Sequence, residues 1–338
     1  MKVLKVGLVV LIVLFIVSGI FLYKGDLSKE YVDDKYTNSQ SQFLLMPNGA
    51  RVHYRDEGDE TRPAIVLVHG SNASLHTWEP WVAILGEHYR VISMDLPAHG
   101  LTGATADNNY SSEAQVSTVE AVVNHLNVSH FVLGGNSMGG GVTWRYTLQF
   151  PKKVTAMILV DSGGLPQFSR EKVAALSDKE AGASVEQAKV ERKDGPMIFA
   201  LMRKSWFRAL AQYLDPYWFT KQGLVSAYNN SPVVTDELIE RYYELALREG
   251  SRVATLSRFA NYGKRDVERV DPAMFSVPTL IMWGKEDALI PVSVAYQFSE
   301  ALENDTLVIY DDIGHVPMEE IPGRSAKDVL AFLETVSL

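Results

Sequence analysis

Phe131-Val132-Leu133-Gly134-Gly135-Asn136-Ser137-Met138-Gly139-Gly140-Gly141-Val142-Thr143-Trp144 is the stretch that decides the fold. A short apolar run leads to a serine between glycines, and the residues from Met138 onward can run as a helix to the stop at Pro151. That order spells strand, sharp turn, helix. So tight a turn crowds the backbone and forces unusual dihedrals, which Gly135 and Gly139 accommodate. Ser137 is then held above the end of a sheet. A helix beginning at Met138 aims its unpaired N–H groups at any oxyanion formed beside the serine. A glycine-rich packing turn with a passive serine reads the same locally, so the rest of the chain must supply the partners.

The same grammar extends on both sides. Upstream, residues 43–46 and 51–55 flank the turn Pro47-Asn48-Gly49 as a β-hairpin. Residues 64–68 are a continuous apolar run, as in a strand covered on both faces, and end in His69-Gly70-Ser71-Asn72. A helix over 79–87 precedes a strand over 90–94, which ends in Asp95-Leu96-Pro97-Ala98-His99-Gly100. Ser111 or Ser112 caps a helix to about 126, with Val116, Val119, Val122, Val123 and Leu126 on one face. Downstream, strand 154–160 ends in Asp161. From Ser162 to about Asp271 the chain is helical and aromatic, without a convincing strand. Sheet grammar returns at 278–283 and ends in Gly284-Lys285-Glu286-Asp287. Helix 291–302, strand 306–310, the segment to His315 and a helix from about 324 to 335 close the chain. The pattern predicts an α/β fold, a mostly parallel sheet with helices on both faces. Its core comprises 43–161 and 272–338, with 162–271 as a helical insertion.

Net charge of −9 without a basic run excludes nucleic acid as partner. The absence of cysteine removes disulfides, thiol nucleophiles and thiolate metal sites, and no cofactor or metal is called for. Lys2 and Lys5 precede an uncharged stretch over 6–23, at the lower edge of a membrane span. A cleaved signal peptide competes, but Val17-Ser18-Gly19 is a poor cleavage site. Residues 1–23 are therefore read as a single uncleaved transmembrane anchor. Lysines on both flanks leave orientation open, and the likeness to an export signal places the catalytic domain outside the cytoplasm, in the periplasm or at the cell surface. Residues 24–42 read as a polar tether.

Ligands bind beyond the carboxyl ends of strands in such sheets, where Gly70-Ser71, Asp95, Ser137, Asp161, Asp287 and His315 fall. A serine hydroxyl needs a base, and the base needs a carboxylate to fix its tautomer. Of eight histidines, His53, His76, His88, His125 and His130 sit where surface or packing roles suffice. His69 and His99 lie in glycine-bearing turns and shape backbone. His315, between Gly314 and Val316-Pro317, is the base. For the acid, Asp287 is preferred to Asp161, because it is nearest His315 in sequence and lies in a flexible turn. The oxyanion donors are the N–H of Met138 and one from the loop after Gly70, Ser71 before Asn72.

These pieces together resemble the α/β-hydrolase superfamily over roughly 43–338. They are His69-Gly70 with Thr77-Trp78, Asp95 to Gly100, Gly135 to Gly140, Trp283 to Asp287 and Gly314 to Glu319. The resemblance implies Ser137 as nucleophile, Asp287 as orienter, His315 as base and 162–271 as the cap. Ala98 departs from it, standing where relatives commonly have glycine. Fold alone does not name a substrate. A serine argues against haloalkane dehalogenases and epoxide hydrolases, which use aspartate there. Hydrolysis of carboxylic esters, of apolar acyl or alcohol groups, is the leading expectation. Carbon–carbon hydrolases of ring-cleavage products share Gly-Asn-Ser-Met-Gly-Gly but commonly have tryptophan after the histidine, here Val316. Cofactor-free haloperoxidase-like enzymes share Ser-Met-Gly-Gly. A non-catalytic binding protein usually lacks one of the three residues, and none is missing.

Overall fold

The protein is described here by a computed structural model covering residues 22–163, 167–168, 204–261 and 269–337. An eight-stranded sheet runs in the order β1-β2-β4-β3-β5-β6-β9-β10. Its strands are β1 (Ser41–Leu45), β2 (Arg51–Glu57), β3 (Ala64–Val68), β4 (Arg90–Met94), β5 (Phe131–Asn136), β6 (Val154–Val160), β9 (Thr279–Gly284) and β10 (Asp305–Tyr310). The hairpin β1–β2 is antiparallel, β2 meets β4 antiparallel, and every other pairing is parallel.

Side chains alternate along each central strand, so one strand feeds two cores. On β3, Val66 and Val68 join the cluster that contains Leu133, Leu159, Ile281 and Trp283, whereas Ile65 and Leu67 join the one with Val132, Ile158, Leu280 and Met282. All five residues of β3 are buried, as are all six of β5 and β9. Each buried aliphatic contributes about 1.5–3 kcal/mol. Helices α2 (Glu79–Leu85), α10 (Pro317–Glu320) and α11 (Pro322–Leu333) close one face through Trp81, Met318, Val329 and Phe332. Helices α3 (Ser112–His125), α4 (Met138–Gln149) and α9 (Ser293–Ala301) close the other through Val119, Trp144 and Phe298. Ser111 caps α3 through the Ala114 N–H, as its sequence predicts.

Strand β3 pairs with both β4 and β5, and the chain leaves β3 toward α2 on one face and β5 toward α4 on the other. That reversal opens a crevice at the carboxyl ends of β3 and β5, the switch point at which open α/β sheets bind ligands.

Between β6 and β9 lie the helices α5 (Ser205–Ala211), α6 (Tyr217–Ala227), α7 (Asp236–Leu247) and α8 (Ser251–Asn261). Two short strands that the sequence does not announce, β7 (Gln167–Phe168) and β8 (Arg269–Val270), pair in parallel. Two residues are too few to show a period.

Residues 24–42 depart from the tether expected of them. Ser28 caps α1 (Lys29–Tyr36), and β1 begins at Ser41. Charges that read as solvated find partners on α7 and α8. Lys35 meets Glu240 and Glu244, Asp26 meets Arg252, and Asp33 meets Arg248, which lies at the end of α7. Val32 is buried with Leu101 and Leu245. Arg248 is buried and holds Asp33 through two bonds of 2.8 and 3.2 Å. Removing the carboxylate leaves that guanidinium unpaired, so Asp33→Ala is expected to cost about 3 kcal/mol. A urea midpoint equal to wild type would instead mark the segment as a loose tether.

No described helix is long and apolar enough to cross a membrane. The expected span over 6–23 lies outside the described residues except for Leu22 and Tyr23.

Candidate active site

Ser137 occupies the turn between β5 and α4 at φ 53° and ψ −119°, a left-handed conformation that stores about 1–3 kcal/mol in a non-glycine residue. Two close approaches fix it. A Cβ on Gly139 would overlap the carbonyl oxygens of Val68 and His69, so only glycine lets α4 start this close to β3. A Cβ on Gly70 would lie 3.2 Å from Ser137 Cβ, which puts the loop after β3 against the serine. Ser71 is next on that loop, and Met138 opens α4, where N–H groups have no helical partner. Both expected donors thus border the β3–β5 crevice. Asn72, the rejected alternative, is also left-handed, at φ 61°.

The loops that carry Asp287 and His315 leave neighbouring strands. Beyond β9 and β10, Lys285 N–H donates to Tyr310 O and Glu286 N–H to Ile313 O, each at 2.9 Å. Asp287 Oδ2 lies 2.6 Å from His315 Nδ1, while its Oδ1 accepts from Leu289 and Ile290 N–H at 2.7 and 3.0 Å. Trp283 Nε1 donates to Ile290 O and steadies the loop. The His315 loop is held by Asn136 Nδ2, which donates to His315 O at 3.0 Å, and by His315 N–H, which donates to Ala227 O at 2.7 Å. With Nδ1 engaged by Asp287, Nε2 is the ring nitrogen left for a reacting group. Ser137 Oγ makes no hydrogen bond to a described residue. Its strand and the His315 loop are joined through Asn136.

Asp161 ends β6 at φ 44° and is fully buried. Its Oδ1 accepts from Gly284 N–H at 2.9 Å, and its Oδ2 has no hydrogen-bond partner of good geometry among the described residues. One donor atom from each of Asp161, Asp287 and His315 lies within 4.8 Å of the others. Burial, then the charge of Asp287, holds the Asp161 carboxyl well above the ordinary range. These groups make a poor metal site, because the raised Asp161 carboxyl gives up its proton reluctantly, and Asp287 and His315 satisfy each other and two N–H groups. Native Asp161 retains its proton to higher pH than the unfolded chain, whose carboxyl ionises near 3.8. Its contribution is therefore complete below that value and declines as pH rises toward the native one. Asp161→Asn removes this decline. Relative to wild type, its denaturation free energy is expected to rise by about 1.4 kcal/mol for each pH unit over which only the native group stays protonated. A difference constant from about pH 4 to about pH 8 would mean that Asp161 is ionised in the fold.

The other histidines behave structurally. His69 is kept neutral by burial, its Nε2 accepting from Leu96 N–H at 3.0 Å. His99 is likewise held far below the usual range by burial and by Arg258. His53 Nδ1 meets Asp95 Oδ2 at 2.8 Å, and Asp95 also accepts from Leu75 and Leu101 N–H. Burial pushes the Asp95 carboxyl up, but His53 and its neighbours hold it lower still than an ordinary aspartate. Ala98 adopts φ 70°, which explains why glycine suits that position.

Two residues escape a reading of the sequence alone. Asn136 stands in the motif without an evident role. Arg258 on α8 reaches Asn72 Oδ1 at 2.9 Å and Met138 Sδ at 3.5 Å, a guanidinium against both sides of the crevice. Nothing in sequence links it to residues so far upstream.

Comparison with known proteins agrees with this fold. A family model for the alpha/beta hydrolase fold matches residues 63–322. The chain is 25% identical over 315 residues to a 2-hydroxy-6-oxo-6-(2'-aminophenyl)hexa-2,4-dienoic acid hydrolase of Metapseudomonas resinovorans, covering 90% of this chain and 94% of that protein. It is 27% identical over 288 residues to the monoacylglycerol lipase ABHD6 of Homo sapiens, covering 81% and 76%. The crystal structure of a membrane phospholipase A, a bacterial virulence factor, superposes with a TM-score of 0.67 at 22% identity, covering 99% of this chain and 98% of that one. This last likeness is one of fold.

Proposed function

The chain belongs to the alpha/beta hydrolase fold family, and on that premise we propose that it is a serine hydrolase of carboxylic esters with apolar acyl or alcohol groups. The observation that carries the reading is the strained Ser137 on a helix N-terminus, with His315 and Asp287 paired at 2.6 Å on the adjoining loops. Ser137 Oγ attacks the ester carbonyl as His315 Nε2 takes its proton, and the N–H groups of Ser71 and Met138 receive the oxyanion. His315 then protonates the departing alcohol. It next draws a proton from water, which attacks the acyl-enzyme, and passes that proton to Ser137 Oγ as the acid departs. Asp287 fixes the imidazole tautomer throughout. The relation to a monoacylglycerol lipase supports lipid-like esters, and the apolar run over 6–23 supports an anchored enzyme with its catalytic domain outside the cytoplasm. Gly135 to Gly140 and the relation to a dienoic acid hydrolase favour carbon–carbon cleavage as the second reading; Val316 after His315 weighs against it.

The test is hydrolysis of p-nitrophenyl esters of increasing chain length by the full-length chain, with and without a serine-directed phosphonate. Turnover abolished by the phosphonate supports the ester reading. Labelling of Ser137 without turnover moves the search to ring-cleavage dienones. The absence of both turnover and labelling would overturn the reading.

A further inference from the structure

Helix α5, Ser-Trp-Phe-Arg-Ala-Leu-Ala, has no buried residue. Trp206 on it is 63% exposed, and Trp218 and Phe219, at the start of α6, are 63% and 62% exposed. Leu210, Tyr213 and Tyr217 between them are exposed as well. Single exposed apolar residues are ordinary on a soluble surface, but two tryptophans, a phenylalanine and two tyrosines within one helix–turn–helix are not.

The surroundings name the occupant. Asp215 N–H donates to Leu22 O at 2.8 Å, Lys24 N–H donates to Tyr213 O at 2.9 Å, and the Tyr23 and Tyr213 rings stack at 6.4 Å. Leu22 and Tyr23, the end of the uncharged run over 6–23, therefore join the fold at this patch, and a bilayer that received the run would lie beside it. Over 204–228 the cations Lys204, Arg208 and Lys221 face a single acid, Asp215, in a chain of net charge −9. Aromatic residues with cations beside them suit the headgroup level of a bilayer, where amphipathic rings bury their bodies and keep their polar edges wet. Helix α6 then spans about 16 Å at 1.5 Å per residue. It ends at Ala227, whose carbonyl accepts the His315 N–H.

We propose that the aromatic face of α5 and the start of α6 is a membrane-contact surface, seated on the headgroup and upper acyl region of a phospholipid bilayer. It places the mouth of the site one short helix from the lipid. The inference deepens the lipid-ester reading, but its evidence comes from a surface outside the catalytic residues.

The tryptophans supply the measurement. Of six, Trp78, Trp81, Trp144 and Trp283 are fully buried, leaving Trp206 and Trp218 accessible. The full-length chain is incorporated into vesicles of phosphatidylcholine and phosphatidylglycerol, with and without bromine high on the acyl chains. Quenching by bromine is expected, up to roughly the third of the emission that two of six tryptophans carry. It should vanish in Trp206→Phe/Trp218→Phe with an unchanged thermal midpoint. Trp206→Ser/Trp218→Ser/Phe219→Ser should lose several-fold activity on a vesicle-borne ester and none on a short soluble ester. Bromine-insensitive emission with iodide quenching intact would overturn the proposal in favour of a solvated patch. Insensitivity to both would overturn it in favour of protein cover, by residues 1–21 or a second copy. Failure on every soluble ester with bromine quenching intact would instead count against the ester reading and leave the surface standing.

Discussion

Replacing Ser137 by alanine is expected to lower kcat on a p-nitrophenyl ester by roughly 10⁵–10⁶-fold, with KM changed only a few-fold. Alanine removes the one atom proposed to attack, while leaving the crevice, the N–H groups at Ser71 and Met138 and the His315–Asp287 pair in place. Residual turnover should come from oxyanion binding alone, still well above the uncatalysed rate. The variant should also fold normally, since alanine bears the strain at φ 53° as serine does. Glycine at 137 is the informative control. It should be equally inactive yet slightly more stable, because it adopts the left-handed region without cost. An alanine variant that keeps more than about a hundredth of wild-type kcat would remove Ser137 as nucleophile.

Much of this was legible in the sequence because burial on both faces leaves no choice of residue. The five-residue run of β3 and the run Leu280 to Trp283 of β9 are apolar throughout for that reason, and their carboxyl ends mark the site. The motif around Ser137 was legible because close backbone approach admits only glycine at 139. What stayed hidden depends on partners distant in sequence. Lys29 to Tyr36 looks like a solvated segment until α7 and the residue that ends it supply the opposite charges, and no local pattern records them. Arg258 is one cation among many until the fold sets it against Asn72. Asp161 showed itself as a candidate acid, but not that burial would keep its proton on.

That proton gives the second large effect. Asp287→Asn is expected to lower kcat by about 10⁴-fold near neutral pH, because an amide offers His315 Nδ1 a donor as readily as an acceptor and loses control of the tautomer. The loss should shrink as pH rises. In wild type the charge on Asp287 is one of the forces that keep Asp161 protonated, second to burial. Removing it lets Asp161 ionise at lower pH than before, within 4.8 Å of the same imidazole. The variant's activity should therefore climb with rising pH through a step that wild type lacks, and Asp161→Asn/Asp287→Asn should show no step. Asp161→Asn alone should stay within about tenfold of wild type, since an amide can still accept from Gly284 N–H and donate to Asp287. The pH profiles of kcat for the four proteins decide the matter. Should Asp161→Asn prove the dead variant and Asp287→Asn the active one, the orienting acid sits at the end of β6, and Asp287 is only its neighbour.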